Sequence, residues 1–170
     1  MTIEYNVSEQ DYLNFNLFHL NNSKQMKNTK LALKYGTVIL CLVLLLVLFW
    51  GQIAAQIAGG VVIIIWIAVF SKFWDYLAKQ TVKKQINEGK ANDFIGPQKL
   101  TLKDDCIEEV SINSTTTVQY TAVERIEYGY ECIFVYVGAI AAYIIPNSAF
   151  TDTEQRNKFT SILKEKTGIA

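Results

Sequence analysis

Few side chains in this sequence are arranged to make or break bonds. His19 is the only histidine. No Ser/His/Asp set, HExxH pair or glycine-rich phosphate loop accompanies it, so hydrolytic, zinc-dependent and phosphoryl-transfer chemistries have no residues to carry them. Cys41, Cys106 and Cys132 show no CxxC or Cys/His spacing that would hold zinc, and their odd number and scatter suit reduced thiols facing a cytosol. Glu108, Glu109, Glu124, Glu127 and Glu131 alternate with apolar residues, a pattern that turns most of them to solvent and motivates no catalytic pair. The expectation is a non-enzymatic protein with no catalytic residues, no metal and no cofactor.

What remains is contact chemistry. Lys24, Lys27, Lys30 and Lys34 recur at steps of three, three and four, on one side of a helix, and Lys72, Lys79, Lys83 and Lys84 form a second basic group. Both groups are candidates for contact with a membrane surface, where a lysine near anionic headgroups contributes about 1 kcal/mol. Tyr128, Tyr130, Tyr136 and Tyr143 are candidate aromatic anchors for a protein partner. Across the 170 residues 16 basic side chains balance 16 acidic ones, which leaves no concentrated basic face for nucleic acid.

The elements that must position these groups are set by the stretch from Tyr35 to Phe70. It holds two uncharged apolar runs, parted only by Gly51 and Gln52. Each run is about 16 to 18 residues, roughly 24 to 27 Å as a helix, and borrowing Leu31 to Leu33 and then Phe73 and Trp74 lengthens both to about 20 residues. Two spans are expected, as a hairpin. The lysine groups flank it on one side and the turn carries none, so both termini are expected in the cytoplasm and the Gly51/Gln52 turn on the far side. No charged residue lies at membrane depth, which argues against a pump or transporter. Ala55 and Gly59, with Ala54 and Ala58, place small residues where helices could touch or a second copy could pair.

Ahead of the hairpin, Ile3, Tyr5 and Val7 alternate as a strand, and Ser8 with Asp11 marks the start of a helix of about 12 to 15 residues. The apolar residues of that helix surround most of the wheel. It is expected to be buried on more than one side, or else to lie along the membrane interface. After the hairpin, helix continues until Gly89 and Asn92/Asp93, with Asp75 spaced to pair with Lys79. From Phe94 the period changes to short β-rich runs: Leu100/Leu102, Ile107/Val110, Val118/Tyr120, Val123/Ile126, Ile133 to Val137, and Ile140 to Ile145. Six strands of an antiparallel meander and a closing helix, capped by Thr151 and Glu154 and followed by Gly168, suggest a curved sheet or split barrel plugged by the helix. The segments are then 1–33, an N-terminal strand and helix in the cytoplasm; 34–76, the two-span hairpin; 77–93, a basic helical linker; and 94–170, the cytoplasmic domain.

The run Tyr143-Ile144-Ile145-Pro146-Asn147-Ser148-Ala149-Phe150, the following amphipathic helix and the opening Tyr5-Asn6-Val7-Ser8-Glu9-Gln10-Asp11-Tyr12 resemble the YcxB-like family of bacterial membrane proteins. The resemblance implies a membrane helical hairpin plus an α+β cytoplasmic domain, a PH-like split β-barrel of seven strands capped by a C-terminal helix. Asn147 and Ser148 stand where that family carries a basic pair, and the Lys103-Asp104-Asp105 turn is acidic, so lipid headgroup recognition by the barrel is not expected. The function expected is a membrane-anchored module that binds a protein partner or scaffolds an assembly. Two alternatives fit the same features: an immunity-type protein neutralising a membrane-acting toxin, and a hairpin that forms homo-oligomers.

Overall fold

The computed structural model describes residues 1–139 and 141–169, and these divide into two compact units, Met1–His19 with Val82–Ala170, and Leu20–Thr81. The order along the chain is β1 (Thr2–Val7), α1 (Glu9–Asn22), α2 (Lys24–Leu48), α3 (Ile53–Asn87), β2 (Gly96–Leu102), β3 (Cys106–Val110), β4 (Thr115–Gln119), β5 (Arg125–Gly129), β6 (Cys132–Tyr136), β7 (Ala142–Pro146) and α4 (Thr153–Thr167). Short 3-10 turns at Tyr120–Ala122 and Asn147–Ala149 complete it.

The second unit is the helical pair. Both helices are long and apolar enough to cross a membrane, and few of their side chains are buried. As the lysine spacing suggested, α2 begins at Lys24 and runs without a break through the apolar stretch. Gly51, with φ at +80°, supplies the left-handed backbone that the turn requires. A Cβ placed on Gly59 would overlap the Leu45 methyl groups, so α2 and α3 meet here with the Leu45 side chain lying over a bare glycine. Asp75 pairs with Lys30 at 3.1 Å across the two helices, not with Lys79 along its own.

In the first unit β1, β2, β3 and β4 form one antiparallel sheet in that order, and β5, β6 and β7 form another. The six expected strands are all present. Tyr120 lies beyond the end of β4 in a 3-10 turn, Val123 precedes β5, and Ile140 falls outside the described residues. The N-terminal strand adds a seventh, with Val7 opposite Gly96 and Ile3 opposite Leu100. The two sheets are not closed into the barrel that the family resemblance implied.

Side chains between the sheets make the core. Ile3, Leu100, Ile107, Ile133, Val135 and Ile145 meet there, and Phe159 and Leu163 of α4 join the same cluster. Phe150 stacks obliquely on Phe159 at 5.4 Å, fixing the entry to α4. The cap of α4 sits one residue later than Thr151: Asp152 accepts from the Gln155 N–H at 2.7 Å, and the Gln155 side chain reaches back to the Thr151 N–H at 2.7 Å. Asp is as good an N-cap as Thr, and here it has the amide in reach. At the other end Gly168 takes φ +70°, and Lys166 donates to the carbonyls of Lys103 and Asp104 at 3.0 and 2.9 Å. The acidic β2–β3 turn is therefore occupied by the helix's own lysine.

Candidate functional site

On the outer face of the second sheet, aromatic and charged side chains of β5, β6 and α1 meet. Alternation along β6 sends Cys132, Phe134 and Tyr136 to one side and Ile133 and Val135 to the other, yet all five are buried. One side faces the core. The other is covered by α1. Phe15 lies 5.4 Å from Phe134 and 5.9 Å from Tyr136, while Phe18 lies 5.0 Å from Phe134. A Cβ on Gly129 would collide with the Phe18 ring, so this glycine, legible in the sequence only as a turn signal, is the floor under Phe18. The start of α1 is tied by Ser8 and Asp11: Ser8 Oγ accepts from the Asp11 N–H at 3.1 Å, and Asp11 accepts from the Ser8 N–H at 3.0 Å. Of the two placements that its apolar wheel allowed, α1 through His19 takes burial on a sheet.

Charge closes one end of this layer. The Arg125 guanidinium lies 3.5 Å from the centre of the Tyr136 ring and donates to Glu127 at 2.7 Å. His19 is near the same ring, 5.9 Å away, and burial with Arg125 beside it lowers its pKa. Cys132 is 3.6 Å from Asp11, and burial, reinforced by that carboxylate, pushes its thiol up to about 12. A thiol so held is protonated at physiological pH and is a packing group, not a nucleophile.

The four candidate tyrosines separate into two pairs. Tyr136, 1% exposed, and Tyr143, 5% exposed, are part of the core. Tyr128, 44% exposed, and Tyr130, 52% exposed, stand at the β5–β6 hairpin. Tyr130 and Glu131 form its two-residue turn with φ at +50° and +60°, and the Tyr130 ring meets Phe18 edge-on at 6.3 Å. Two consecutive non-glycine residues in the left-handed region carry a backbone cost that Asn-Gly would avoid. Of the lysines, Lys24, Lys27, Lys72, Lys79, Lys83 and Lys84 are exposed, Lys34 is half-buried, and Lys30 is engaged by Asp75.

Glu109 departs from the solvent-facing pattern. Register places it on the inner face of the first sheet, opposite Leu100 and diagonal to Gln98, which itself faces Tyr5. Tyr5 Oη donates to Glu109 at 3.3 Å. Burial raises the Glu109 carboxyl to about 7, the Tyr5 bond opposing the rise, and Tyr143 from β7 is near enough for that carboxylate to raise its own pKa further. Strict alternation from Ile107 would have revealed this placement, because Glu109 shares that residue's face.

These features define a protein with two long apolar helices, an antiparallel β region and a C-terminal helix. Residues 102–163, from the end of β2 to Leu163 in α4, match the family model described as YcxB-like protein. No curated protein and no solved structure matches the chain.

Proposed function

We propose that the chain is a membrane-anchored binding module, with a PH-like β unit at the cytoplasmic face of a bacterial inner membrane that engages a protein partner. The pairing of Val7 with Gly96 carries this reading. All of residues 8–95 are inserted between those two adjacent strands, so both ends of the helical segment leave from one place in one sheet. An inserted segment with both ends together crosses a bilayer an even number of times, which agrees with two apolar helices and with lysines only at their ends away from the Gly51 turn. The 4+3 arrangement of strands with a helix packed on the core supports a PH-like module, open where a barrel would close.

The contact surface is the β5–β6 hairpin, where Tyr128 and Tyr130 are exposed on a backbone held in a costly turn. Photo-cross-linking residues placed at Tyr128, at Tyr130 and at lipid-facing Val47 of the full-length chain in native membranes test this. One protein captured from the hairpin tyrosines and not from Val47 is the expected result. Capture from Val47 alone would sink the proposal and favour protection or assembly within the membrane.

A further inference from the structure

The inner face of the first sheet is apolar at the Leu102–Ile107 end and polar at the other, where Tyr5, Gln98 and Glu109 converge with Tyr143 of the second sheet. Two of these groups are unfinished. Tyr143 and Gln98 are each 5% exposed, and neither the Tyr143 hydroxyl nor Gln98 Oε1 has a hydrogen-bond partner, although the Gln98 amide N–H reaches the Asp93 carbonyl at 3.5 Å. Buried polar atoms without partners are uncommon, and two beside a carboxyl group in one corner of a core call for an occupant.

We propose that this corner is a binding site for a primary ammonium group, held by Glu109, Tyr143 and Gln98. The atoms to be satisfied are a carboxylate oxygen, an amide oxygen and a phenol oxygen, with Tyr5 Oη still able to accept. An ammonium presents three N–H donors and no acceptor, which matches an all-oxygen set. The carboxylate also supplies the opposite charge that a buried cation requires. The titratable groups facing Glu109 are the Tyr5 phenol from β1 and the Tyr143 phenol from β7, both held neutral by burial. Glu4 and Lys99, on the other face of the sheet, pair with each other at 2.9 Å.

The proton balance follows. With the site empty and the Glu109 carboxyl titrating at about 7, the acid form predominates below neutrality. Binding of R-NH3+ ionises that carboxyl and releases one proton to solvent, so affinity rises about tenfold per pH unit below 7 and levels off above it.

The test is calorimetric titration of the full chain in dodecyl maltoside with ethanolamine, in buffers of different ionisation enthalpy, from pH 5.5 to 8.5. Saturable binding with up to one proton released, absent in Glu109→Gln and weakened several-fold in Tyr143→Phe, is expected. Circular dichroism confirms that both variants are folded. No saturable heat, binding unaltered by Glu109→Gln, or equal binding of uncharged ethylene glycol would overturn the proposal, the last showing that water-like hydroxyls are all the site takes. Repeating the titration in nanodiscs containing phosphatidylethanolamine separates the sources. Ethanolamine competed away there identifies a lipid headgroup as the ammonium, and undiminished binding identifies a free amine.

Discussion

Trp66 of α3 donates its indole N–H to Thr37 Oγ1 of α2 at 3.1 Å, and the Thr37 hydroxyl donates in turn to the Leu33 and Lys34 carbonyls at 2.9 Å. The indole is the polar atom of an otherwise apolar stretch of α3. The Thr37 hydroxyl is already oriented by its own helix, so donor and acceptor are matched without a free rotor. Around the pair Trp66 packs edge-on to Phe70 at 5.5 Å, and Phe70 stacks on Trp74 at 6.3 Å. The aromatic ladder stiffens α3, and the hydrogen bond ties that ladder to α2.

Replacing Thr37 with Val keeps the shape and removes the acceptor. The expected loss is about 0.6 kcal/mol of hairpin stability, the average for hydrogen bonds between membrane helices, and at most about 1.7 kcal/mol. A double-mutant cycle with Trp66→Phe, followed by SDS-induced unfolding in mixed micelles, measures the coupling. A coupling energy indistinguishable from zero would show that the bond contributes nothing.

Gly59 makes a second prediction about the same helical pair. Gly59→Val drives two methyl groups into the space of the Leu45 side chain and separates the helices, costing about 1 to 3 kcal/mol by overpacking. Leu45→Ala in the same chain vacates that space and recovers part of the loss. Disulfide trapping between cysteines introduced on the facing sides of α2 and α3 reports the separation directly: slower trapping in Gly59→Val, restored in the double variant. Equal trapping rates in all three would mean that the glycine is not a contact point.

Local periodicity made the elements legible, and non-local pairing made their partners illegible. Ile3, Tyr5 and Val7 alternate cleanly enough to announce a strand, but nothing within reach of that strand in the sequence says that Leu100 and Gln98 lie opposite it. The two apolar helices and the lysines that bound them are read directly from composition. Phe18 over Gly129 shows the limit most clearly, since a helix residue and a strand glycine acquire meaning only once the helix is laid on the sheet. The β6 residues Cys132 to Tyr136 form an unbroken apolar run, legible as a strand, but its burial on both faces depends on α1 supplying the second cover, which lies far away in the sequence. At Tyr128, Tyr130, Tyr136 and Tyr143 residue type was a poor guide, because tyrosine serves equally in a core and on a surface. Position in the sheet decides it: Tyr136 lies in the central strand β6 under α1, and Tyr143 faces the core from β7, whereas Tyr130 is in the β5–β6 turn and Tyr128 stands beside that turn on the edge strand β5.

The β5–β6 turn offers a stabilising substitution. Glu131 sits at φ +60° while its carbonyl accepts from the Asn147 N–H at 2.8 Å, an interaction that any side chain preserves. Glu131→Gly removes the Cβ penalty of the left-handed backbone and should raise stability by about 1 kcal/mol. Glu131→Ala removes the same charge and keeps the penalty, so it should bring no such gain. Thermal unfolding of the full chain in detergent distinguishes them, and an alanine variant as stable as the glycine variant would assign the effect to charge.

The last prediction concerns pH, and its sign follows from burial. Desolvation raises the folded-state pKa of Glu109 from 4.5 to about 7, so the folded protein holds this proton more tightly than the unfolded chain does. Stability from this group is therefore complete below the unfolded carboxylate pKa and is lost progressively as pH rises through about 7. Moving from pH 5 to pH 8 should cost on the order of 1 to 3 kcal/mol, the upper figure tempered by the partial solvent access of the side chain. Glu109→Gln mimics the protonated acid, keeps a group that can accept from Tyr5 Oη, and cannot ionise. It should match the wild type at pH 5 and exceed it at pH 8. Denaturant unfolding of both proteins at the two pH values, in the same detergent and without added amine, measures the difference. Parallel pH profiles for the two proteins would place the titrating group elsewhere, and a larger wild-type stability at pH 8 than at pH 5 would mean that the Glu109 carboxylate is stabilised by charge more than it is penalised by burial.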